Sequence, residues 1–169
     1  AGYGGVWHGQ KGFNGVAILA RGAEPVEVQR GLHGEPGDEH SRYIEADVFG
    51  IRVAGIYLPN GNPQPGPKFD YKLRWMERLR TRARAILAEE VPAVIAGDYN
   101  VIPTADDVHN PAVWTKDALF LPQTRSKFRA LTSLGLTDAI RAVSDDKGLY
   151  TFWDYQAGAW EKDHGIRID

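Results

Sequence analysis

The 169-residue chain contains no cysteine, which excludes a disulfide framework and any thiolate zinc site. Its five histidines stand too far apart for a familiar zinc-binding spacing, so a metal here would be bound mainly by oxygen. No apolar stretch approaches the roughly 20 residues that a transmembrane helix needs, and no charged-then-apolar leader opens the sequence. An excess of one charge is missing as well: 20 Lys and Arg against 22 Asp and Glu leave a formal net charge of −2. Nothing global draws the chain to nucleic acid or to an anionic membrane, and a polyanionic substrate would need a local basic patch. With 43% hydrophobic and 25% charged residues, the composition is that of a globular domain, with a single domain over residues 1–169 and a cytoplasmic location as the expectations. The sequence begins at Ala1 and stops at Asp169 inside an apolar-polar alternation, so both ends read as cut and a fragment is expected.

What is present reads as alternating strands and helices. "NGVAILAR" (Asn14 to Arg21) is a turn followed by an apolar run, and "RYIEADVFGIRVAGIYLPNG" (Arg42 to Gly61) alternates about a turn at Phe49 and Gly50, as a hairpin does. "GLHGEPGDEHS" between them, and "PNGNPQPGPK" (Pro59 to Lys68), are too rich in glycine and proline for regular structure. In "FDYKLRWMERLRTRARAILAEE", Phe69, Leu73, Met76, Leu79, Ala83, Ile86 and Leu87 recur at spacings of three and four, which predicts a long amphipathic helix. Lys72, Arg74, Arg78, Arg80, Arg82 and Arg84 lie away from that stripe. They are read as a solvated outer face rather than a DNA-binding one. Pro92 then breaks the helix and "AVIAG" is expected as a buried strand. A second helix is signalled by Pro122, with Phe128, Leu131 and Leu134 on one face and Gly135 as its stop. "LYTFWDY" and "GIRID" are expected to pair as a final hairpin. The whole suggests one α/β layered domain with mixed sheet.

The chemistry is expected where the apolar run Val94 to Ala96 gives way to "GDYN", because the residues beyond the carboxyl ends of strands are where open α/β sheets usually place their ligands. Asp98 and Asn100 are the candidates. Continued strand alternation would put them on the same side, with Tyr99 turned into packing. His109, after Asp106 and Asp107, is read as part of a polar loop rather than a metal cluster. His8, His33, His40 and His164 are assigned no role.

In order along the chain, "QKGFNGVAIL", "GIYLPNGN", "AGDYNVIPTADDVHNP", "DAIR", "YTFWDY" and "GIRID" resemble the exodeoxyribonuclease III branch of the endonuclease/exonuclease/phosphatase superfamily, which includes abasic-site endonucleases. The resemblance implies an α/β fold, a DNase I-like four-layered sandwich of two mixed sheets flanked by helices, incomplete here at both termini. It implies hydrolysis of phosphodiesters with Mg2+ or Mn2+, removal of nucleotides from DNA 3′ ends and incision 5′ to abasic sites in double-stranded DNA, by a monomer with no membrane partner. Asp98 matches the aspartate that orients or activates water beside the metal, and Asn100 the asparagine that holds the nucleophile and the phosphorane. Both are expected near the metal. Tyr57 matches a tyrosine whose hydroxyl contacts the scissile phosphate, and Asp169 the aspartate that orients a histidine. Phe152 and Trp153 match the wall of the abasic-sugar pocket, Lys11 and Asn14 the approach to the DNA backbone, and Arg167 is expected beside the site, on phosphate or on a carboxylate. The resemblance also implies a metal-binding glutamate before Ala1 and a catalytic histidine after Asp169, so the isolated chain is expected to be poorly stable and largely inactive. Two other readings stand beside this one: a superfamily phosphodiesterase acting on a phosphoinositide, sphingolipid or other diester, and an inactive DNA-binding or interaction module on the same scaffold.

Overall fold

The strand β1 (Tyr3–Gly9) turns back through a short glycine-containing loop into β2 (Gly15–Arg21), and the two pair antiparallel over their whole length, from Tyr3 opposite Arg21 to Gly9 opposite Gly15. β3 (Val26–Arg30), β4 (Tyr43–Val48), β5 (Ile51–Tyr57) and β6 (Ala93–Asp98) form a second sheet in that order. Its first three strands are antiparallel, whereas β5 and β6 run parallel and are connected by the helix α1 (Pro67–Ala88). A parallel pair needs such a crossover, because the chain must return to the starting end before it can pair again. The computed structural model describes residues 2–169.

The residues divide into two compact units. The first holds the stretch up to Leu58 together with Arg78–Asp98, hence β1 to β6 and the second half of α1. One apolar cluster of this unit lies at the seam between the β1–β2 ladder and the larger sheet, where Ile18, Ile44 and Ala46 are buried against Val6, Val16, Val48 and Val53; Ile56, Leu79, Ala83 and Ile86 are buried as well. Period-two alternation puts Tyr43 and Glu45 on the other side of β4. There the fully buried Glu45 receives Arg52 at 3.0 Å, Arg82 from α1 and the Tyr43 hydroxyl at 2.6 Å. Burial alone would raise its carboxyl, but the bonds from Arg82, Tyr43 and Arg52 outweigh that and hold it below the usual carboxylate range.

The second unit holds Pro59–Glu77 and Tyr99–Asp169. It contains the first half of α1, a 3-10 turn at Ala105–Asp107, the short α2 (Pro111–Trp114), α3 (Pro122–Thr132), and the pair β7 (Phe152–Trp153) and β8 (Gly165–Ile166). Its core gathers Ile102, Val108, Leu119, Phe120, Ile166 and Ile168, with Trp114 against them.

The α/β class, the Phe49–Gly50 hairpin and both long helices are as the sequence implies. Three expectations are corrected. β6 is an edge of its sheet among the described residues and is not buried throughout; Val94 is 48% exposed. The polar side of α1 is not uniformly solvated: Lys72 is fully buried, Arg78 is bound to Asp38 and to the carbonyl oxygens of Leu32 and His33, and Arg82 is bound to Glu45. A cation with a long stem can be buried once fixed acceptors meet its head. Finally, β1 and β3 are strands that the pattern did not reveal, and the terminal hairpin contains only two residues in each strand. No helix among the described residues is long and apolar enough to cross a membrane.

Candidate active site

Tyr57 and Asp98 close the parallel pair β5 and β6 and are partners in its register. The ladder continues one step further, with the Leu58 amide donating to the Asp98 carbonyl at 2.8 Å, so the strand ends fix these two residues side by side. Gly97 makes that pairing possible. It has φ +132°, and a Cβ there would run into the Ile56 carbonyl of β5. The glycine before the aspartate is thus required by the close approach of two backbones. Beside Tyr57, the Arg42 guanidinium lies 4.9 Å from the ring centroid and donates to the Tyr57 carbonyl at 3.1 Å, an arrangement that holds a cation against the ring face.

Asn100 belongs to the second unit and is reached by a turn rather than by continued strand. Its φ is +47°, so the alternation expected to align it with Asp98 does not apply: a left-handed residue breaks the pleat that alternation needs. Asparagine tolerates this conformation better than most residues. Asn100 is 4% exposed, its Oδ1 accepts from Asn60 Nδ2 at 3.2 Å, and its carbonyl accepts from Lys72 Nζ at 2.5 Å. Tyr99 does turn into packing, edge-on to Phe128 at 5.7 Å, where burial, followed by the nearby Asp138 charge, pushes its hydroxyl well above the ordinary range.

Phe152 and Trp153 stand at β7 in an aromatic group. Phe152 meets Tyr155 edge-on at 6.5 Å, and Trp153 meets Trp160 at 4.8 Å while its Nε1 donates to Asp163 at 3.0 Å. Asp169 is exposed, and its amide donates to Thr151 Oγ1 at 3.1 Å. Lys11 is exposed in the β1–β2 turn, and Asn14 is left-handed at φ +76°. Arg167 is 5% exposed and its guanidinium is engaged by two carboxylates, with Nε donating to Asp107 at 2.6 Å and Nη1 to Asp138 at 3.0 Å. Asp107, which also receives Arg141 at 2.6 Å and the Thr104 hydroxyl at 2.7 Å, is fully buried. Burial would raise its carboxyl, yet the bonds from Arg167, Arg141 and Thr104 hold it below the ordinary value.

A groove of about 380 Å³ in the second unit is lined by Thr104, Arg125, Phe128, Arg129, Asp138 and Arg141, among others. Of the candidate residues it takes in Arg167, but neither Asn100 nor the β7 aromatics. No cluster of three or more His, Asp or Glu able to hold a metal is present among the described residues. Arg42, beside Tyr57 in the first unit, and Asn60 and Lys72, beside Asn100 in the second, are neighbours of the candidate residues that sequence reasoning missed. Asn60 alone left a usable signal, because it follows a strand end just as Asn100 does.

A model of the Endonuclease/Exonuclease/phosphatase family matches residues 1–169. The chain is 32% identical over 161 residues to an exodeoxyribonuclease of Bacillus subtilis, a match that takes in 95% of this chain and 63% of that protein. Among solved structures, a 3′ phosphatase from Neisseria bound to a product DNA hairpin superposes with a TM-score of 0.95 at 36% identity, over 99% of this chain and 65% of that one. An AP endonuclease from Archaeoglobus fulgidus does so with a TM-score of 0.92 at 38% identity, again over 99% and 65%. The DNase I-like fold class expected from the sequence is therefore shown. The chain spans less than two thirds of the length of each of these relatives.

Proposed function

The chain belongs to the Endonuclease/Exonuclease/phosphatase family, and from that premise we propose that the whole protein is a metal-dependent DNA phosphodiesterase of base excision repair, acting as a 3′-5′ exonuclease on duplex DNA and incising 5′ to abasic sites. The observation that carries the reading is the pairing of Tyr57 with Asp98 at the carboxyl ends of two parallel strands, the position where α/β sheets usually do their chemistry. The DNA-directed names of the Bacillus, Neisseria and Archaeoglobus relatives favour DNA over a lipid or other diester.

The donors fit a hard cation. With one carboxylate at Asp98 and a carboxamide two residues on, at Asn100, they are oxygen ligands, and magnesium is commonly held by one or two carboxylates with water and phosphate oxygens completing the shell. Asp98 and Asn100 would hold it; when bound it offsets charge on the phosphate. Chain length alone keeps the two residues within about 7 Å of each other, Cα to Cα. In this reading the Asp98 carboxylate accepts the proton of the attacking water. The Asn100 amide donates to the crowded phosphate without adding charge, and the Tyr57 hydroxyl donates to a phosphoryl oxygen. Asp169 orients a histidine, Phe152 and Trp153 wall the sugar, Lys11 and Asn14 meet the backbone, and Arg167, bound by Asp107 and Asp138, stiffens the second unit. A monomer in the cytoplasm, with no membrane partner, goes with this proposal.

The full-length protein is offered three substrates: a duplex with one abasic site, a duplex with a recessed 3′ end, and a phosphoinositide. Magnesium-supported cleavage of the first two, stopped by chelator, is the expected result. Hydrolysis of the phosphoinositide alone, or DNA binding with no cleavage at all, would replace this function with one of the alternatives.

A further inference from the structure

A fully buried lysine is unusual enough to need an explanation, since removing an ammonium from water costs several kcal/mol unless its donors are met. Lys72 lies in the first half of α1 with no exposure. Its Nζ donates to the main-chain carbonyls of Asn60, at 3.0 Å, and of Asn100, at 2.5 Å. These carbonyls belong to the loops that follow β5 and β6, so one ammonium ties both loops together. The space around its stem is closed: Gly61 has φ +93°, and a Cβ there would lie 2.6 Å from Lys72 Cδ. A second line of bonds reaches the same asparagine from the side-chain end. Asp117 receives Asn62 Nδ2 at 3.1 Å, Asn62 Nδ2 also donates to Asn60 Oδ1 at 3.0 Å, and Asn60 Nδ2 donates to Asn100 Oδ1 at 3.2 Å. The Asn62 Oδ1 is held in turn by the Ala118 amide at 3.1 Å.

Resting on the role given to Asn100 above, we propose that Lys72 and Asn60 are positioning residues for it: Lys72 fixes the left-handed backbone of Asn100 and Asn60 fixes its carboxamide. A side chain that must donate to a phosphate needs its rotamer set before the substrate arrives, and displacement by an ångström can cost about a hundredfold in rate. Two linked anchors, one on the backbone and one on Oδ1, do that for a residue in the left-handed region, and Lys72 holds the Asn60 carbonyl as well. An apolar residue in place of Lys72 would leave two carbonyls without their donor, and the loop would relax toward a conformation that satisfies them with water.

The test is a double-mutant cycle on the full-length protein, reading the single-turnover cleavage rate and the Kd for an abasic duplex. Lys72→Met and Asn60→Ala are each expected to slow cleavage by about 10- to 100-fold with Kd within about threefold. Neither should slow Asn100→Ala any further, because they act through the same side chain. Slowing that multiplies with Asn100→Ala, or a lowered Tm with an unchanged rate, would overturn the inference and leave the proposed function intact. A wild-type protein that cleaves no DNA would overturn both. Asn60→Ala leaves the buried ammonium in place, so its cycle decides the matter should Lys72→Met fail to fold.

Discussion

Asp107 shows how much of the second unit depends on one carboxylate. It is fully buried, and it satisfies two arginines and the cap of a 3-10 turn at once. Asp107→Asn keeps the shape but leaves Arg167 short of an anion in a buried place. We expect a loss of about 3–5 kcal/mol in urea unfolding. The same ion set predicts an acid limb. A carboxylate whose folded pKa lies below its unfolded value of about 3.9 stabilises the native state fully above that value. The contribution is lost as pH falls through the lower folded value. Unfolding free energy should therefore drop below about pH 4, and less steeply in Asp107→Asn. Gly97 is the other residue on which local geometry turns, and Gly97→Ala should destabilise by more than about 1 kcal/mol. The sequence signalled Asp98 through its strand-end position, but gave no sign that Asp107 was buried, since its partners Arg141 and Arg167 are 34 and 60 residues away. In the sequence it stood in what read as a polar loop.

Among the elements, the β4–β5 hairpin was readable because alternation on both sides leaves only Phe49 and Gly50 for the turn. Both have positive φ, 51° and 79°, which is the geometry that suits the right-handed twist of the strands. Phenylalanine is a poor residue for that conformation, and here it is 74% exposed. Phe49→Asn should raise stability by about 1 kcal/mol, seen as a higher urea midpoint with an unchanged slope. β1 escaped notice because "YGGVWHG" carries three glycines, which weaken any strand signal, yet it pairs residue for residue with β2. In α1 the period was clear and the apolar stripe was mostly correct. What the period cannot tell is which cations on the other face meet a fixed acceptor. Lys72 and Arg82 do so through groups on distant loops and strands.

At the scale of the molecule, ordered motifs carried more information than composition. A net charge of −2 said nothing in favour of DNA, whereas six short blocks in sequence order pointed to the family that the comparisons show. The α/β class was legible because most strand, helix and turn signals agreed along the chain, although β1 and β3 gave no such signal. The site was legible only in part: Asp98 was singled out by its strand end and Tyr57 only by the family resemblance, while the support for Asn100 comes from Asn60 in a loop and from Lys72 on the side of α1 that read as solvated. The most direct measurement on the proposed nuclease is single-turnover cleavage of an abasic duplex by the full-length protein and its Asp98→Asn variant, in magnesium and in chelator, with Kd measured alongside. The account predicts that the variant cleaves at least about a hundredfold more slowly, that chelator silences the wild type, and that both bind the duplex with similar Kd. Cleavage by Asp98→Asn within a few-fold of wild type would contradict it.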